Sequence, residues 1–462
     1  MSRNIGIGNV YTYDYKLENP KSRNVGFGYY DRDKVYTVQN DNGKVNVDDV
    51  ISNITNDKRL QEEYLISKRP IAASTLRFSF GDLSYDPTTD TTTATKHSNN
   101  RPGGGTPAGY GGTWTKINSE YNNIWEYTYS GHTLQNEFDN GNYNNTDLEP
   151  TSVVRFWNDV EHNPIKIIAS DTSDCTNFQR FMQGVWALTE IWELDTSNAT
   201  NAQIIFSFCK NLKRLPKTLD FTKCTANTSV QAAFQDCWKL EEVNEIRLNT
   251  TSSNLTLNLQ NLFISCISLK RINTPINLVN VTNLQSAFAG CYNLEELYLI
   301  NTGRITTFAN SFACCCKLPL EFFGGLDISS ATSLQQTCGG IYGRTTSSVP
   351  IFYASVDMNN ITKNIFTVSN KVNSVQNLYL GCNLKNIDVS KFENIKSSLN
   401  VIGLFQNNEN VETGMKEIYD LFVSKNITNY NDGTFKQCGI NTEQGRADRA
   451  LIPQSWGGDA IG

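Results

Sequence analysis

Histidine is scarce in this chain, and motifs that usually accompany catalysis are absent. The three histidines, His97, His132 and His162, lie in polar stretches without the HExxH or HxH spacing of a zinc site. No CxxC pair is present for zinc or redox chemistry, and the stretch GGGTPAGYGG lacks the Gly-Lys-Ser/Thr ending of a phosphate-binding loop. We therefore expect a protein with no metal, no cofactor and no catalytic site.

Long apolar runs and an excess of basic charge are also missing. No run approaches the roughly 18 to 20 apolar residues of a membrane-spanning helix, and the mean hydropathy is -0.40. There are 40 basic against 46 acidic residues, a net charge of -6, which leaves no electrostatic footprint for nucleic acid. The opening MSRNIGIGNVYTYDYKLENP lacks the apolar centre of a secretory signal. We expect a soluble chain made in a cytoplasm, without nucleic-acid binding or membrane insertion.

A phrase that recurs along the chain, such as FAGCYNLEEL from Phe288, is its most informative feature. Each copy places a large apolar anchor residue at its start and then spaces leucines or other apolar residues by three. Successive anchors are separated by 24, 28, 29, 25 and 24 residues, which is typical of leucine-rich repeats. The anchors are Met182, Phe206, Phe234, Phe263, Phe288 and Phe312. The pattern predicts a solenoid in which each repeat forms one coil.

A cysteine follows each phenylalanine anchor by three residues. A small side chain at this position would fill an interior column, and free cysteine is commonly a buried small hydrophobe. We expect packing rather than chemistry, because burial disfavours the thiolate, and we expect no disulfide bonds. These cysteines are Cys209, Cys237, Cys266, Cys291 and Cys315.

Two periodicities follow each other within a coil. Val281, Leu284 and Phe288 lie at i, i+3 and i+7, which predicts one face of a short helix or helical turn. From Leu294 and Leu297 onward, the spacing of apolar residues shortens towards the every-second-residue spacing of a strand. Outside the repeats, the stretch TLRFSFGDLSY predicts a strand, and GMKEIYDLFVSKNI predicts a helix near the C terminus.

These patterns predict an α+β fold in four parts. Residues 1–66 form a β-rich anchoring or oligomerisation module, and 67–167 form an α+β capping domain with an exposed, mobile loop at 86–113. The leucine-rich-repeat solenoid occupies 168–345. Residues 346–462 contain degenerate repeats, which keep leucines but lose the phenylalanine, and a C-terminal cap.

An aromatic-rich segment precedes the repeats and contains Trp114, Tyr121 and Trp125. Tryptophan and tyrosine serve both as core residues and as flat platforms for sugars or partner surfaces. Two interpretations therefore stay open, a capping core that closes the N-terminal end of the solenoid and a set of ligand-facing aromatics.

The Phe-x-x-Cys-x-x-Leu-x-x-Leu phrase, with runs such as Asp195-Thr196-Ser197, resembles the BspA-like leucine-rich repeats of Bacteroidota surface proteins. The resemblance covers residues from about 168 to 345 well and extends loosely to 440. It implies a binding scaffold, and that family has no catalytic residues to carry over.

The layout of a small mounting domain followed by repeats is similar to structural proteins of bacteriophages that infect Bacteroides-like hosts, including the crAss-like group. This resemblance implies a head fibre or tail-associated fibre at the virion surface. It also implies a homo-oligomer, dimer or trimer, whose N-terminal module contacts other virion proteins and whose repeats attach to a host glycan or protein.

Three alternatives stay open at this point. The first is a bacterial cell-surface adhesin, which would require an export route that this N terminus does not show, and another is a purely architectural role on the capsid. A polysaccharide depolymerase requires a pair of carboxylates about 5 to 10 Å apart, and the acidic pairs Glu241-Glu242 and Glu295-Glu296 are the obvious candidates. Their shared position in the repeat instead favours a solvated stripe beside the strand.

Overall fold

The computed structural model describes residues 47–88, 112–134, 161–252, 254–340 and 360–461, and the backbone of two further strands. Most of the loop predicted at 86–113 lies outside the described residues, as does His97. No helix in the described part is long and apolar enough to cross a membrane.

The N-terminal part contains a hairpin, a helix and a five-stranded sheet. Strands β1 (Val25–Gly28) and β2 (Val35–Val38) pair in antiparallel fashion, and helix α1 spans Val47–Ser67. The sheet strands are β3 (Thr75–Phe80), β4 (Thr113–Ile117), β5 (Asn123–Thr128), β6 (Ile165–Asp171) and β7 (Leu188–Ile191). Their order is β4-β5-β3-β6-β7, and only the β6–β7 pair is parallel. Because β7 belongs to the first coil of the repeats, the sheet leads directly into the solenoid.

Both faces of this sheet are covered, so every residue of β3 is buried. On one face Phe78 packs against Trp114 with ring centroids 5.3 Å apart. On the other face Ile66, from the end of α1, packs with Ile124 and Ile168. The strand predicted from the TLRFSF stretch is confirmed.

A buried arginine fastens the helix to the sheet. The guanidinium of Arg77 donates hydrogen bonds to the main-chain oxygens of Ile66, Arg69 and Pro70 and to the carboxylate of Glu126. These bonds satisfy carbonyl groups at and just beyond the C-terminal end of α1, which lack partners within the helix.

The repeats form a solenoid with short parallel strands and few helices. The strands are β8 (Thr218–Phe221), β9 (Glu242–Val243), β10 (Glu245–Leu248), β11 (Leu257–Asn258), β12 (Arg271–Ile272), β13 (Ile276–Asn277), β14 (Val281–Asn283) and β15 (Leu299–Ile300). The parallel pairs are β8–β10, β9–β12, β11–β14 and β13–β15. The helices are α2 (Leu320–Gly324), α3 (Met415–Ser424) and α4 (Glu443–Arg449), with 3₁₀ turns at Thr302–Arg304, Val389–Phe392 and Gln454–Trp456. Helix α3 confirms the helix predicted near the C terminus.

The register of the coils continues beyond the last copy of the phrase that is visible in the sequence. In each coil the N–H of the anchor residue donates to the carbonyl group just before the anchor of the next coil. Followed in this way, the anchor positions are Met182, Phe206, Phe234, Phe263, Phe288, Phe312, Cys338, Tyr379, Phe405 and Phe435. The degenerate repeats therefore keep the register of the first coils, with Cys338 and Tyr379 in the anchor position.

The segment around each anchor is a series of tight turns rather than the short helix predicted for it. In the Phe288 coil the N–H groups of Ser286, Phe288 and Gly290 donate to carbonyls of the next coil, and the intervening N–H groups close turns within the coil. This alternation requires left-handed backbone at Ser286 (φ 54), two positions before the anchor, and at Gly290 (φ 76), two positions after it. A residue with a β-carbon costs roughly 1 kcal/mol or more in that conformation, and bonds between coils offset the cost. Of the two predicted alternatives, a short helix or a helical turn, the short helix does not form because every second N–H is used between coils.

Candidate functional site

The predicted repeat anchors lie in the interior and pack against their counterparts in neighbouring coils. Ring centroids of successive phenylalanines from Phe206 to Phe312 lie 5.8, 4.8, 5.7 and 5.6 Å apart. All of these rings are buried. They form the continuous core of the solenoid and present nothing to a ligand.

The repeat cysteines do more than fill space. The thiol of Cys237 lies 3.3 Å from the main-chain oxygen of Phe206, the anchor of the preceding coil. The same contact is made to the preceding anchor by Cys209, Cys266, Cys291 and Cys315, at 3.0 to 3.2 Å. Burial raises the pKa of each of these thiols, so this column is structural.

An asparagine takes the place of the cysteine in a later coil. Asn408 follows the anchor Phe405 by three residues, and its Nδ2 donates to the main-chain oxygen of Tyr379 at 2.7 Å. Tyr379 is the anchor of the preceding coil, so the amide repeats the contact that the thiols make. The contact can therefore be made by an amide as well as by a thiol, which is a structural role and not sulfur chemistry.

The aromatic residues before the repeats belong mainly to the core of the N-terminal sheet. Trp125 is buried and its Nε1 donates to Asn123 Oδ1 at 2.8 Å, so of the two interpretations this indole fits the core and not a ligand-facing platform. Trp114 packs against Phe78, as well as other rings of the same core. Tyr121 keeps a partly exposed ring, beside which Lys58 lies. Their packing favours the capping-core interpretation.

Charged residues alternate in sign from coil to coil along one outward column. Lys270 Nζ lies 2.7 Å from a carboxylate oxygen of Glu241, and Arg271 forms an ion pair with Glu242. In coil order the column contains Glu190, then Lys213 and Arg214, Glu241 and Glu242, Lys270 and Arg271, Glu295 and Glu296, and Lys317. Adjacent rows therefore attract each other along the solenoid.

The acidic pairs considered for a depolymerase lie in this column, separated by the Lys270–Arg271 row. A hydrogen bond and the charge of Lys270 lower the pKa of Glu241, and Lys317 lowers the pKa of Glu295 in the same way. A general acid in glycoside hydrolysis needs a raised pKa. The environment of these two carboxylates lowers their pKa values instead.

The column opens between the Phe206 and Phe234 coils. In the backbone, Arg214 forms a β-bridge with Glu190 on one side, and Glu242 pairs with Arg271 in a parallel ladder on the other. No β-bridge joins Arg214 to Glu242 in the part of the chain that the structure describes. Pro216 follows closely and has no N–H to continue the strand. The result is a shallow, open cleft of about 280 Å³. It is lined by Lys213, Arg214, Leu215, Glu241, Glu242 and Asn244.

An aromatic corner, which we define as Trp186, Lys210 and Trp238, lies close to the cleft in the chain: Lys210 precedes Lys213 by three positions, which span at most about 11 Å. These residues each follow their anchor by four positions, and all three are partly exposed. The Lys210 ammonium lies between the two indoles, 3.7 Å from the ring centroid of Trp186 and 4.3 Å from that of Trp238. Burial lowers the pKa of Lys210, while the nearby charge of Asp236 opposes that shift. We call this corner and the cleft the candidate binding surface.

Another column of the solenoid consists of glutamines. Their amides bond to one another, from Gln179 to Gln203 at 2.8 Å, on to Gln231 at 3.2 Å and on to Gln260 at 3.2 Å. These amides therefore form a ladder of hydrogen bonds that joins four successive coils.

The two described histidines lie apart from the candidate binding surface. His132 is exposed near Asp174, with 3.6 Å between its Nδ1 and a carboxylate oxygen, and His162 is exposed in a turn. Within the described ranges, no three His, Cys, Asp or Glu side chains are grouped as a metal site requires.

Comparison with known proteins identifies no relative. No family model matches the chain, and no curated protein or solved structure matches it.

Proposed function

We propose that this chain is a non-enzymatic appendage of a bacteriophage virion, a head fibre or tail-associated fibre, whose solenoid attaches to a glycan or protein on the host surface. The observation that carries the attachment role is the aromatic corner beside the cleft. Partly exposed tryptophans next to convergent polar groups are the arrangement that protein surfaces use to bind sugars and partners. The virion location is supported by the resemblance of the sequence alone.

We also propose a finer identity for the parts of the chain. The coils are BspA-like leucine-rich repeats. This identity is supported by the recurring sequence phrase, whose Phe, Cys and Leu residues occupy the same positions in successive coils. Residues 1–66 anchor the chain to other virion proteins and to its own copies in a dimer or trimer. Many copies on one particle then turn weak contacts into avidity, a gain on the order of 10²- to 10⁴-fold when geometry permits.

The test of attachment uses the full chain and a variant that carries Trp186→Ala and Trp238→Ala. Binding to Bacteroidota cells, measured by flow cytometry, should fall by more than about tenfold, because aromatic hot spots contribute about 2 kcal/mol or more each. The control is Tyr298→Ala, which removes an aromatic side chain that is 57% exposed on a different part of the solenoid. Unchanged binding by the double variant, with the fold intact, contradicts the proposal.

The location is tested on particles from a lysate with an antibody against the repeats. Labelled phage heads or tails are the expected result. Labelled bacterial envelopes beside bare particles would favour the adhesin instead.

A further inference from the structure

We propose that the cleft between the Phe206 and Phe234 coils binds an acidic sugar, a saccharide unit that carries one carboxylate among its hydroxyl groups. The inference rests on the proposed attachment function and names the ligand class for the same surface.

The first argument is the interruption of a regular column. Neighbouring rows of opposite charge pair closely elsewhere, as Lys270 does with Glu241 at 2.7 Å and Lys317 with Glu295 at 2.8 Å. The Lys213–Arg214 row faces the Glu241–Glu242 row with no ion pair between them in the described structure. The strand ladder is interrupted at the same place, so the column has room for a ligand there.

The second argument is the balance of charge around the cleft. Glu241 and Glu242 are already paired with the Lys270–Arg271 row behind them. Lys213 has no ion-pair partner among the described residues, and the nearest carboxylate to Arg214 is Glu190, at 3.9 Å and outside the cleft. After the hydrogen bond and charge of Lys270, the charge of Lys213 also lowers the pKa of Glu241, but it acts only at longer range. The cationic side of the cleft therefore has no carboxylate in contact with it inside the cleft, and an anionic group supplies that contact.

The third argument is the mixture of hydrogen-bonding groups. Lys213, Arg214 and the Asn244 amide supply donors, and the two glutamates supply acceptors. A compact anion such as phosphate would be held by the donors but repelled by the glutamates across the cleft. A sugar acid satisfies both sides, since its carboxylate faces the cations and its hydroxyl groups donate to the carboxylates.

The fourth argument is size and surroundings. About 280 Å³ lies just below the usual volumes of small-molecule sites, which begin at about 300 Å³, and this suits one sugar ring rather than a larger ligand. Lys210 of the aromatic corner precedes Lys213 by only three residues. A glycan that places one acidic unit in the cleft therefore has indole surface beside it for a neighbouring unit.

The experiment titrates the full chain, by calorimetry, with a tetrasaccharide of alternating glucuronate and N-acetylglucosamine. The matched probe is the same tetrasaccharide with its carboxylates reduced to alcohols. Variants are Lys213→Gln and Arg214→Gln, and the control is Lys317→Gln, which removes a cation of the same column that is already paired with Glu295.

We expect the acidic probe to bind at least about tenfold more tightly than the reduced probe, with a preference that weakens as salt increases. Each cleft variant should remove most of that preference, and the control should retain it. Failure of the acidic probe to bind at millimolar concentration overturns the inference, as does a preference that survives both cleft variants. If host-cell binding still depends on Trp186 and Trp238 in that case, attachment stands and only the acidic-sugar inference falls.

Discussion

At the scale of single residues, the repeat thiols act as donors between coils rather than as nucleophiles. Cys266 is fully buried, and its sulfur lies 3.1 Å from the main-chain oxygen of Phe234. Burial and the neighbouring thiols Cys237 and Cys291 raise its pKa well above the ordinary value. Since the thiolate is the reactive form, the column should be inert while the protein is folded.

This inertness can be measured by thiol titration with a disulfide reagent. Of the twelve cysteines, only Cys316 is partly exposed. In the native protein we expect slow modification of at most this one thiol, and complete modification of all twelve after denaturation. The Cys316→Ala variant should not react with the reagent until it unfolds. Rapid modification of any thiol in that folded variant would refute the packing role.

The packing residues could be predicted from sequence because they are the same in successive coils. Phenylalanine and cysteine recur at a fixed separation, so a column of each is visible without coordinates. The aromatic corner was missed because the residue type at its position is not constant from coil to coil, since Lys210 lies between Trp186 and Trp238. The corner can be recognised only when the anchors of successive coils are aligned, because its members are the residues four positions after each anchor. For Trp125 both interpretations stayed open at the level of sequence, because composition does not tell a core indole from an exposed one.

At the scale of elements, one carboxylate joins the N-terminal sheet to the first coil. Asp174, just after β6, accepts hydrogen bonds from Ser74 Oγ and Tyr129 OH, each at 2.5 Å. Partial burial raises its pKa, but these two bonds and the charge of His132 outweigh burial, so the pKa of Asp174 is lowered overall. The junction is therefore strongest when this group is ionised.

The lowered pKa gives the pH dependence a definite sign. Stability from Asp174 is fully present above the ordinary value of about 3.9 and is lost as pH falls through its lower folded-state pKa. Denaturant unfolding at pH 7 should show a loss of about 1 to 2 kcal/mol for Asp174→Asn, at roughly 1 kcal/mol for each weakened hydrogen bond. At pH 2 the difference from the wild type should be smaller than at pH 7.

The neighbouring variant Asp171→Asn serves as a control for this prediction. Asp171 accepts bonds from Ser173 within its own turn and does not join the two elements through them. Its substitution should cost less than Asp174→Asn at pH 7. An equal cost for Asp174→Asn at both pH values would show that its ionisation contributes nothing to the junction.

Strands and turns differed in how far sequence could predict them. Alternation identified β3 because the chain there follows the ordinary period of a strand. The spacing of Val281, Leu284 and Phe288 indicated a short helix or a helical turn and could not decide between them, since side-chain periodicity reports which residues face inward and not where N–H groups point. Left-handed residues at Ser286 and Gly290 give the same inward face with a different backbone. That choice depends on a neighbouring coil, which a local pattern does not contain.

At the scale of the whole molecule, the solenoid is a nearly one-dimensional stack whose ends need closing. Each coil contacts mainly its neighbours, so its stability depends on the interfaces above and below it. At the C-terminal end, the N–H of the last anchor, Phe435, donates to the main-chain oxygen of Trp456 at 2.9 Å. The indole of Trp456 is buried and stacks on Tyr430 with 3.7 Å between centroids. This residue closes the stack.

Removal of that closing side chain should loosen the stack from one end. We expect Trp456→Ala to cost about 3 to 5 kcal/mol locally, and hydrogen exchange should reveal a gradient, with the Phe435 and Phe405 coils losing most protection. Protection of the Phe206 and Phe234 coils should stay close to that of the wild type, because each interface between coils is stabilised by its own contacts. Binding at the candidate binding surface should also be retained, since that surface lies on these coils. Trp186→Ala, which removes an indole from the side of the stack, is the matched control and should produce no gradient. A uniform loss of protection from Phe206 to Phe435 would mean that the solenoid unfolds as one cooperative unit.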